Sequence, residues 1–264
     1  MLPRDRQGNS QPMELNEKTF IVTGAGGGIG AATAAYLAGL GAHVALVDIS
    51  TSTKAVVDRI VENGGSAELF IADVGNPEQV EEMVAAVVTH FGRLDGAFNN
   101  AGVEQSGIPL HQLTIEQWDR AVRIDLTGVF NCLKYEVQAM LETGGGSIVN
   151  TASGLGKVAI PNASEYVAAK HGVIGLTRAA AADYGQLGIR VNAVLPGIIN
   201  TPMIERLVDD PQFSAHFARL RERHLMNRFG QPSEVGAAVA WLLSSDSAFV
   251  TGESLAVDGG FLAN

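Results

Sequence analysis

The sequence is short of cysteine, short of charge and free of long apolar runs, and each shortage excludes something. Cys132 is the only cysteine among 264 residues, so no internal disulfide forms and a reducing compartment is expected. The thiol itself reads as a small buried apolar residue. Charged residues make up 17% and hydrophobic residues 46%, the balance of a compact soluble domain with a large core. No run reaches the length of a membrane span. The polar start, 1–13, carries Arg4, Asp5 and Arg6 and lacks the apolar core of a signal peptide. It is expected to be a flexible tail, with Met13 an alternative start, and the location is expected to be cytoplasmic. A formal net charge of -10 argues against nucleic acid or an anionic membrane surface as the main partner. His111, His171 and His224 are not spaced with cysteine or carboxylates as ligands, so no catalytic metal is expected.

What is present is alternation. Short apolar runs at 19–23, 43–47, 68–72, 96–99, 147–151, 190–194 and 254–257 read as strands. Between them lie segments of helical length and pattern, among them 30–40, 77–91, 115–141, 164–184 and 233–243. Alternating strand and helix implies an α/β fold, a parallel sheet covered on both faces. With no repeat, low-complexity tract or linker, 14–264 is read as one domain of Rossmann type: a doubly wound sheet of about seven strands. The stretch 198–228, mixed in pattern and rich in charge, is read as a lid over the pocket.

The first strand runs into Thr23-Gly24-Ala25-Gly26-Gly27-Gly28-Ile29-Gly30, and a helix follows at once. Glycines here let the backbone turn tightly and approach a pyrophosphate seated on the helix N-terminus. A glycine cluster alone marks any tight turn; its place between a first strand and a first helix gives it weight. The second strand ends at Asp48, about where an acidic residue receives ribose hydroxyls. A carboxylate there repels the extra phosphate of NADP, and the next residue, Ile49, offers no cation to pair with it. NAD is the expected cofactor, although an Asp also starts ordinary turns.

The chemistry is placed between Ser147 and Lys170: a strand, then Ser153, a loop, and a helix opening near Ser164. Tyr166 and Lys170 stand four residues apart on that helix and project from one face. A free phenol, with a pKa near ~10, is a poor base at neutral pH, and a neighbouring ammonium favours its ionised form. Ser153 supplies a hydroxyl for a substrate oxygen on which charge develops. A Tyr and a Lys at this spacing also occur on plain solvated helix faces, so the pair carries weight only through its context.

Together these stretches resemble the short-chain dehydrogenase/reductase family, from Leu15 onward. Gly24, Gly28 and Gly30 match the family's cofactor loop, and Asp73-Val74 the pair that contacts adenine. Asn99-Asn100-Ala101-Gly102 matches the segment beside the cofactor. Ser153, Tyr166 and Lys170 fall at the active-site spacing, and Pro196-Gly197 with Ile199 and Thr201 matches the segment clasping the nicotinamide end. The resemblance implies that Tyr166 is the general acid/base, that Lys170 lowers its pKa and holds the nicotinamide ribose, and that Ser153 orients the substrate oxygen. It further implies a small alcohol or ketone as substrate and a homotetramer built through 115–141, 164–184 and the C-terminal strand. The finer texture is similar to family enzymes acting on cyclic alcohols and cyclohexadiene diols. Gly154, Leu155, Val158, Ile160 and Ile198 are expected to line an apolar cleft of modest size.

One departure stands out. The family's fourth active-site residue is usually an asparagine, acting largely through its backbone carbonyl; here the place is held by Asp125. An ionised carboxylate would offset Lys170 and displace the pH optimum upward, while a near-isosteric swap would change nothing. Arg219, Arg221, Arg223 and Arg228 suit a charged, solvent-facing helix more simply than an anionic substrate, and Glu104 is a candidate for the pocket mouth. Two alternatives stay open: a ketoacyl-thioester reductase of the same fold, against which Asp48 counts, and a non-catalytic nucleotide-binding regulatory protein, favoured by Asp125 alone.

Overall fold

Every residue of β1 (Thr19–Thr23) is buried, which is why its sequence shows no polar alternation. In the computed structural model, which describes residues 13, 15–201, 204 and 214–264, this strand lies inside a seven-stranded sheet. The other strands are β2 (His43–Asp48), β3 (Ser66–Ile71), β4 (Gly96–Asn99), β5 (Gly146–Thr151), β6 (Ile189–Pro196) and β7 (Ser254–Val257). All neighbours are parallel, in the order β3-β2-β1-β4-β5-β6-β7. The winding reverses between β1 and β4, so a crevice opens at their carboxyl ends, where ligands of such sheets bind.

Helices cover both faces. Leu37 of α1 (Gly28–Gly39), Val57 of α2 (Lys54–Glu62) and Val239 of α8 (Pro232–Leu243) pack on one face with Phe20, Leu46 and Phe98. Val84 of α3 (Pro77–Phe91), Leu133 of α5 (Gly128–Thr143) and Val173 of α6 (Ser164–Tyr184) pack on the other with Ile21, Ala97 and Ile148. Cys132 is buried as expected, and burial pushes its thiol well above its ordinary value. Residues 1–12 and 14, and 202–203 and 205–213 of the expected lid, lie outside the described residues; Met13, placed in the tail, packs partly buried against the core. No helix among the described residues is long and apolar enough to cross a membrane.

The uninterrupted helix expected over 115–141 needs correction. α4 (Ile115–Val122) passes into a π turn (Arg123–Thr127) before α5 begins. Such turns absorb an extra residue and re-aim side chains. Here the turn carries Asp125 into the interior, while Arg123 reaches back to Asp73 at 2.9 Å. α5 follows in tight contact: a Cβ on Gly128 would come within 2.8 Å of Val74.

A buried polar chain ties the sheet to α5 and α6. Asn99 donates to Glu136 (2.9 Å) and to Asn150 (3.1 Å), and Asn150 donates to Thr177 (3.0 Å). Burial pushes the Glu136 carboxyl up to about 8, with the Asn99 bond only partly opposing, so the group is mostly neutral at pH 7. An acid held above its unfolded value of ~4.3 contributes stability that is intact below that pH. The contribution declines above it and is lost as the pH passes through the folded value. The melting temperature of Glu136→Gln relative to wild type is therefore expected to rise by roughly several degrees between pH 5 and 8.5. A difference that does not change with pH would contradict the assignment.

Candidate active site

The glycine turn closes on itself. Gly24 has φ of 64°, and a Cβ there would lie 2.8 Å from Ala101 Cα; one on Gly30 would lie 2.2 Å from the Gly24 carbonyl oxygen. Helix α1 opens at Gly27 without a side-chain cap, so its first amides have no side-chain acceptor, which suits an anion. Ile29, in the first turn, is half-buried. Asp48 stands beside the turn with both oxygens engaged, accepting from Gly26 N (2.8 Å) and Ser50 N (3.1 Å), and Ile49 is 73% exposed next to it.

The other expected cofactor positions gather along the same crevice. Thr23 Oγ1 accepts the amides of Asn100 (2.9 Å) and Ala101 (3.0 Å), and the Asn100 side chain donates to the Thr23 and Gly24 carbonyls. Asp73, after β3, bonds Arg123 and the Gly75 amide; burial opposes its charge, but these partners outweigh it and hold its carboxyl below its ordinary value. Val74 is buried beside it. Beyond Pro196 and Gly197, Ile199 enters the core and Thr201 faces the glycine turn, its methyl 3.1 Å from where a Cβ on Gly28 would stand. A cradle with uncapped helix amides, a fixed carboxylate and a closing threonine fits a nicotinamide dinucleotide.

Lys170 is 2% exposed. Its Nζ donates to the Thr151 carbonyl (3.0 Å), lies 3.4 Å from Asp125 Oδ1 and sits 5.4 Å from the centre of the Tyr166 ring. Ser153 Oγ accepts from Leu155 N (3.1 Å), which leaves its O–H to donate elsewhere. The turn Gly154–Gly156 presses on α6 at the same level: a Cβ on Gly156 would come 2.9 Å from the Lys170 carbonyl oxygen. A phenol, a buried ammonium and a free hydroxyl donor at one crevice are the parts needed to move a proton on or off a carbinol oxygen.

Asp125 does more than keep the shape of an asparagine. Its side chain is fully buried, with Oδ1 accepting from Val103 N at 3.0 Å and facing Lys170. Oδ2 has no hydrogen-bond partner among the described residues. Burial raises its carboxyl above the ordinary value, against the pull of Lys170, the Val103 amide and Arg120. Gly102 makes room for it, since a Cβ there would lie 2.6 Å from Oδ1.

A Cβ added to Gly154 would lie 3.3 Å from the Phe261 ring of the C-terminal turn (Phe261–Ala263). Val158 is 37% exposed, and Ile160 and Ile198 are half-buried. Of the four arginines, Arg219 and Arg221 are exposed on α7 (Ser214–Glu222), while Arg223, beyond it, stacks on Phe261 and Arg228 pairs with Glu234 at 2.6 Å. Glu104 is exposed. A cavity of about 480 Å³ is lined by Ile198, Leu225, Met226 and Arg228, among others, and none of Ser153, Tyr166 and Lys170 borders it. His224, unremarked in the sequence except as a poor metal ligand, is 2% exposed. It accepts from Ile198 N at 3.2 Å through Nε2 and bonds the Leu220 carbonyl through Nδ1. It thereby ties the segment after β6 to α7. Among the described residues no group of three His, Cys, Asp or Glu is placed to hold a metal ion.

The family profile described as "Enoyl-(Acyl carrier protein) reductase" matches residues 24–262. The chain is 47% identical to a 2,5-dichloro-2,5-cyclohexadiene-1,4-diol dehydrogenase of Sphingobium indicum, over 95% of this chain and 99% of that one. It is 45% identical to a cyclohexanol dehydrogenase of an Acinetobacter species, over 94% and 96%. The crystal structure of levodione reductase superposes with a TM-score of 0.91 at 40% identity, covering 95% and 99%. A putative NAD(P) dependent gluconate 5-dehydrogenase from Beutenbergia cavernae, solved with bound NADP, does so at 0.90 and 34%, covering 96% and 100%. The chain belongs to the short-chain dehydrogenase/reductase family.

The Asp125–Lys170 contact has a measurable consequence. Removing the acid takes away the carboxylate that faces the Lys170 ammonium, so the rise of alcohol oxidation rate with pH is expected to move to lower pH in Asp125→Asn. Superimposable pH–rate profiles would show that Asp125 has no influence on the proton transfer.

Proposed function

We propose that this chain is an NAD-dependent dehydrogenase that interconverts a cyclic secondary alcohol or diol and its ketone. The observation that carries the reading is the burial of Lys170 beside Tyr166 at the crevice that the glycine turn and Asp48 also border. Hydride transfer is the chemistry a bound nicotinamide supplies. The chain's own residues then do the following. Ser153 donates to the substrate oxygen and orients it. Tyr166 takes the hydroxyl proton as the ketone forms and returns it in the reverse direction. Lys170 sets its ammonium against the face of the Tyr166 ring and holds the nicotinamide ribose. Gly24, Gly28 and Gly30 let the backbone approach the pyrophosphate, and Asn100 to Gly102 lock the turn in place.

The substrate class rests on the activities named for the relatives, a cyclohexadiene diol dehydrogenase and a cyclohexanol dehydrogenase. NAD rests on Asp48, whose carboxylate is fixed beside the glycine turn by the Gly26 and Ser50 amides. Lys54, a cation close by in sequence, is paired with Asp58. An added phosphate would meet the like charge of Asp48. The oligomer is proposed to be a homotetramer: Ile115, Trp118, Phe130 and Leu141 are exposed along α4 and α5, as is Phe249 before β7. Light scattering on the purified protein is expected to give four chains, and a monomer would reject that part.

The test is reduced-nicotinamide absorbance with cyclic and linear secondary alcohols, run with NAD and NADP separately. Turnover of cyclic substrates with NAD is expected. Asp48→Asn is expected to narrow the preference for NAD over NADP in kcat/KM by roughly tenfold or more, the scale of one lost repulsion near the surface. A wild-type preference for NADPH with thioester substrates would replace this reading with the ketoacyl reductase.

A further inference from the structure

The segment that leaves β4 has no regular secondary structure from 100 to 109. Because β4 borders the point where the winding reverses, this segment forms a wall of the crevice. Its backbone hangs on two acids from different elements. Asp125, on the π turn, takes the Val103 amide at 3.0 Å. Glu165, in the first turn of α6 and next to Tyr166, takes the Ser106 amide at 2.6 Å through Oε1.

Glu165 is a costly way to make one hydrogen bond. It is 0% exposed, it is in none of the ion pairs among the described residues, and its Oε2 has no hydrogen-bond partner among them. The N-terminus of α6 favours negative charge there, yet an apolar side chain of similar size would fill the space without stranding a carboxylate oxygen. What an apolar residue would lose is the tie to Ser106. That tie sets how far the wall stands from the helix that carries Tyr166, and Glu104 and Gln105 lie between the two anchors, both exposed.

We propose that Glu165 is a positioning residue for substrate binding: by holding the Ser106 amide it fixes the 103–106 wall against the helix carrying Tyr166. It acts through the wall and not on the reacting atoms. This rests on the dehydrogenase reading of the site, whose substrate must lie between that wall and Tyr166. Loss of the tie loosens the substrate's fit and leaves the glycine cradle, built on other elements, unchanged.

Glu165→Ala and Glu165→Gln separate the position from mere folding, since a glutamine carbonyl can still accept the Ser106 amide. In Glu165→Ala the KM for a cyclic alcohol such as cyclohexanol is expected to rise roughly tenfold or more, the value of a backbone bond to a charged group. Its kcat and its KM for NAD are expected to stay within about twofold, and Glu165→Gln to restore the substrate KM. Hydrogen exchange on the peptide spanning 103–109 is expected to quicken in the alanine variant and not in the glutamine variant. Unchanged exchange in Glu165→Ala, a glutamine variant as impaired as alanine, or a parallel loss in kcat and KM for NAD would each overturn the proposal. A wild type that turns over no alcohol would reject the dehydrogenase reading, while the exchange measurement would still decide the tie itself.

Discussion

An ammonium buried in the interior of a protein must be met by acceptors, because desolvation alone would strip its charge. Lys170 is met by the Thr151 carbonyl, by Asp125 and by the face of the Tyr166 ring. Each partner comes from a different element: the end of β5, the π turn before α5, and the preceding turn of α6. The site can therefore form only when those elements are in register. The glycines around it follow from the same demand, since Gly102 leaves room for the acid and Gly156 lets the turn after Ser153 close on the helix.

The topology explains why this cluster lies beside the glycine turn. Parallel strands send all their carboxyl ends to one edge, and reversing the winding between β1 and β4 holds two loops apart there. The glycine turn after β1 and the Asn100 segment after β4 are then stapled to each other through Thr23. A rigid core places these loops: two apolar layers, one per face, and the buried Glu136–Asn99–Asn150–Thr177 chain beneath. Rigidity matters because proton transfer depends on distances that a loose scaffold would not hold.

Much of this was legible in the sequence. The strands lie within two residues of where the apolar runs put them, because strands buried on both faces read as unbroken apolar stretches. The glycine turn, Asp48, Tyr166 and Lys170 were legible because their chemistry depends on short spacings. What was hidden depends on partners far away along the chain. The π turn has no local signal, since Asp125 is drawn inward by Lys170 and Val103. His224 reads as an ordinary lid residue until it accepts the Ile198 amide, and Glu165 as an ordinary helix-opening acid until it holds Ser106. The neutral state of Glu136 comes from complete burial, which a charged letter in a helix does not announce. The stretch expected to form a lid, 198–228, is described only in part.

The account stands most directly on Tyr166 as the group that carries the proton. Turnover of cyclohexanol with NAD by Tyr166→Phe, set beside NADH binding followed by fluorescence in the same preparation, isolates that role. Loss of one hydroxyl should lower kcat by about 10²- to 10⁴-fold while NADH binds as in the wild type, because the ring still stands against Lys170 and the cradle is untouched. Turnover near the wild-type rate would place the proton transfer on another group and contradict the account.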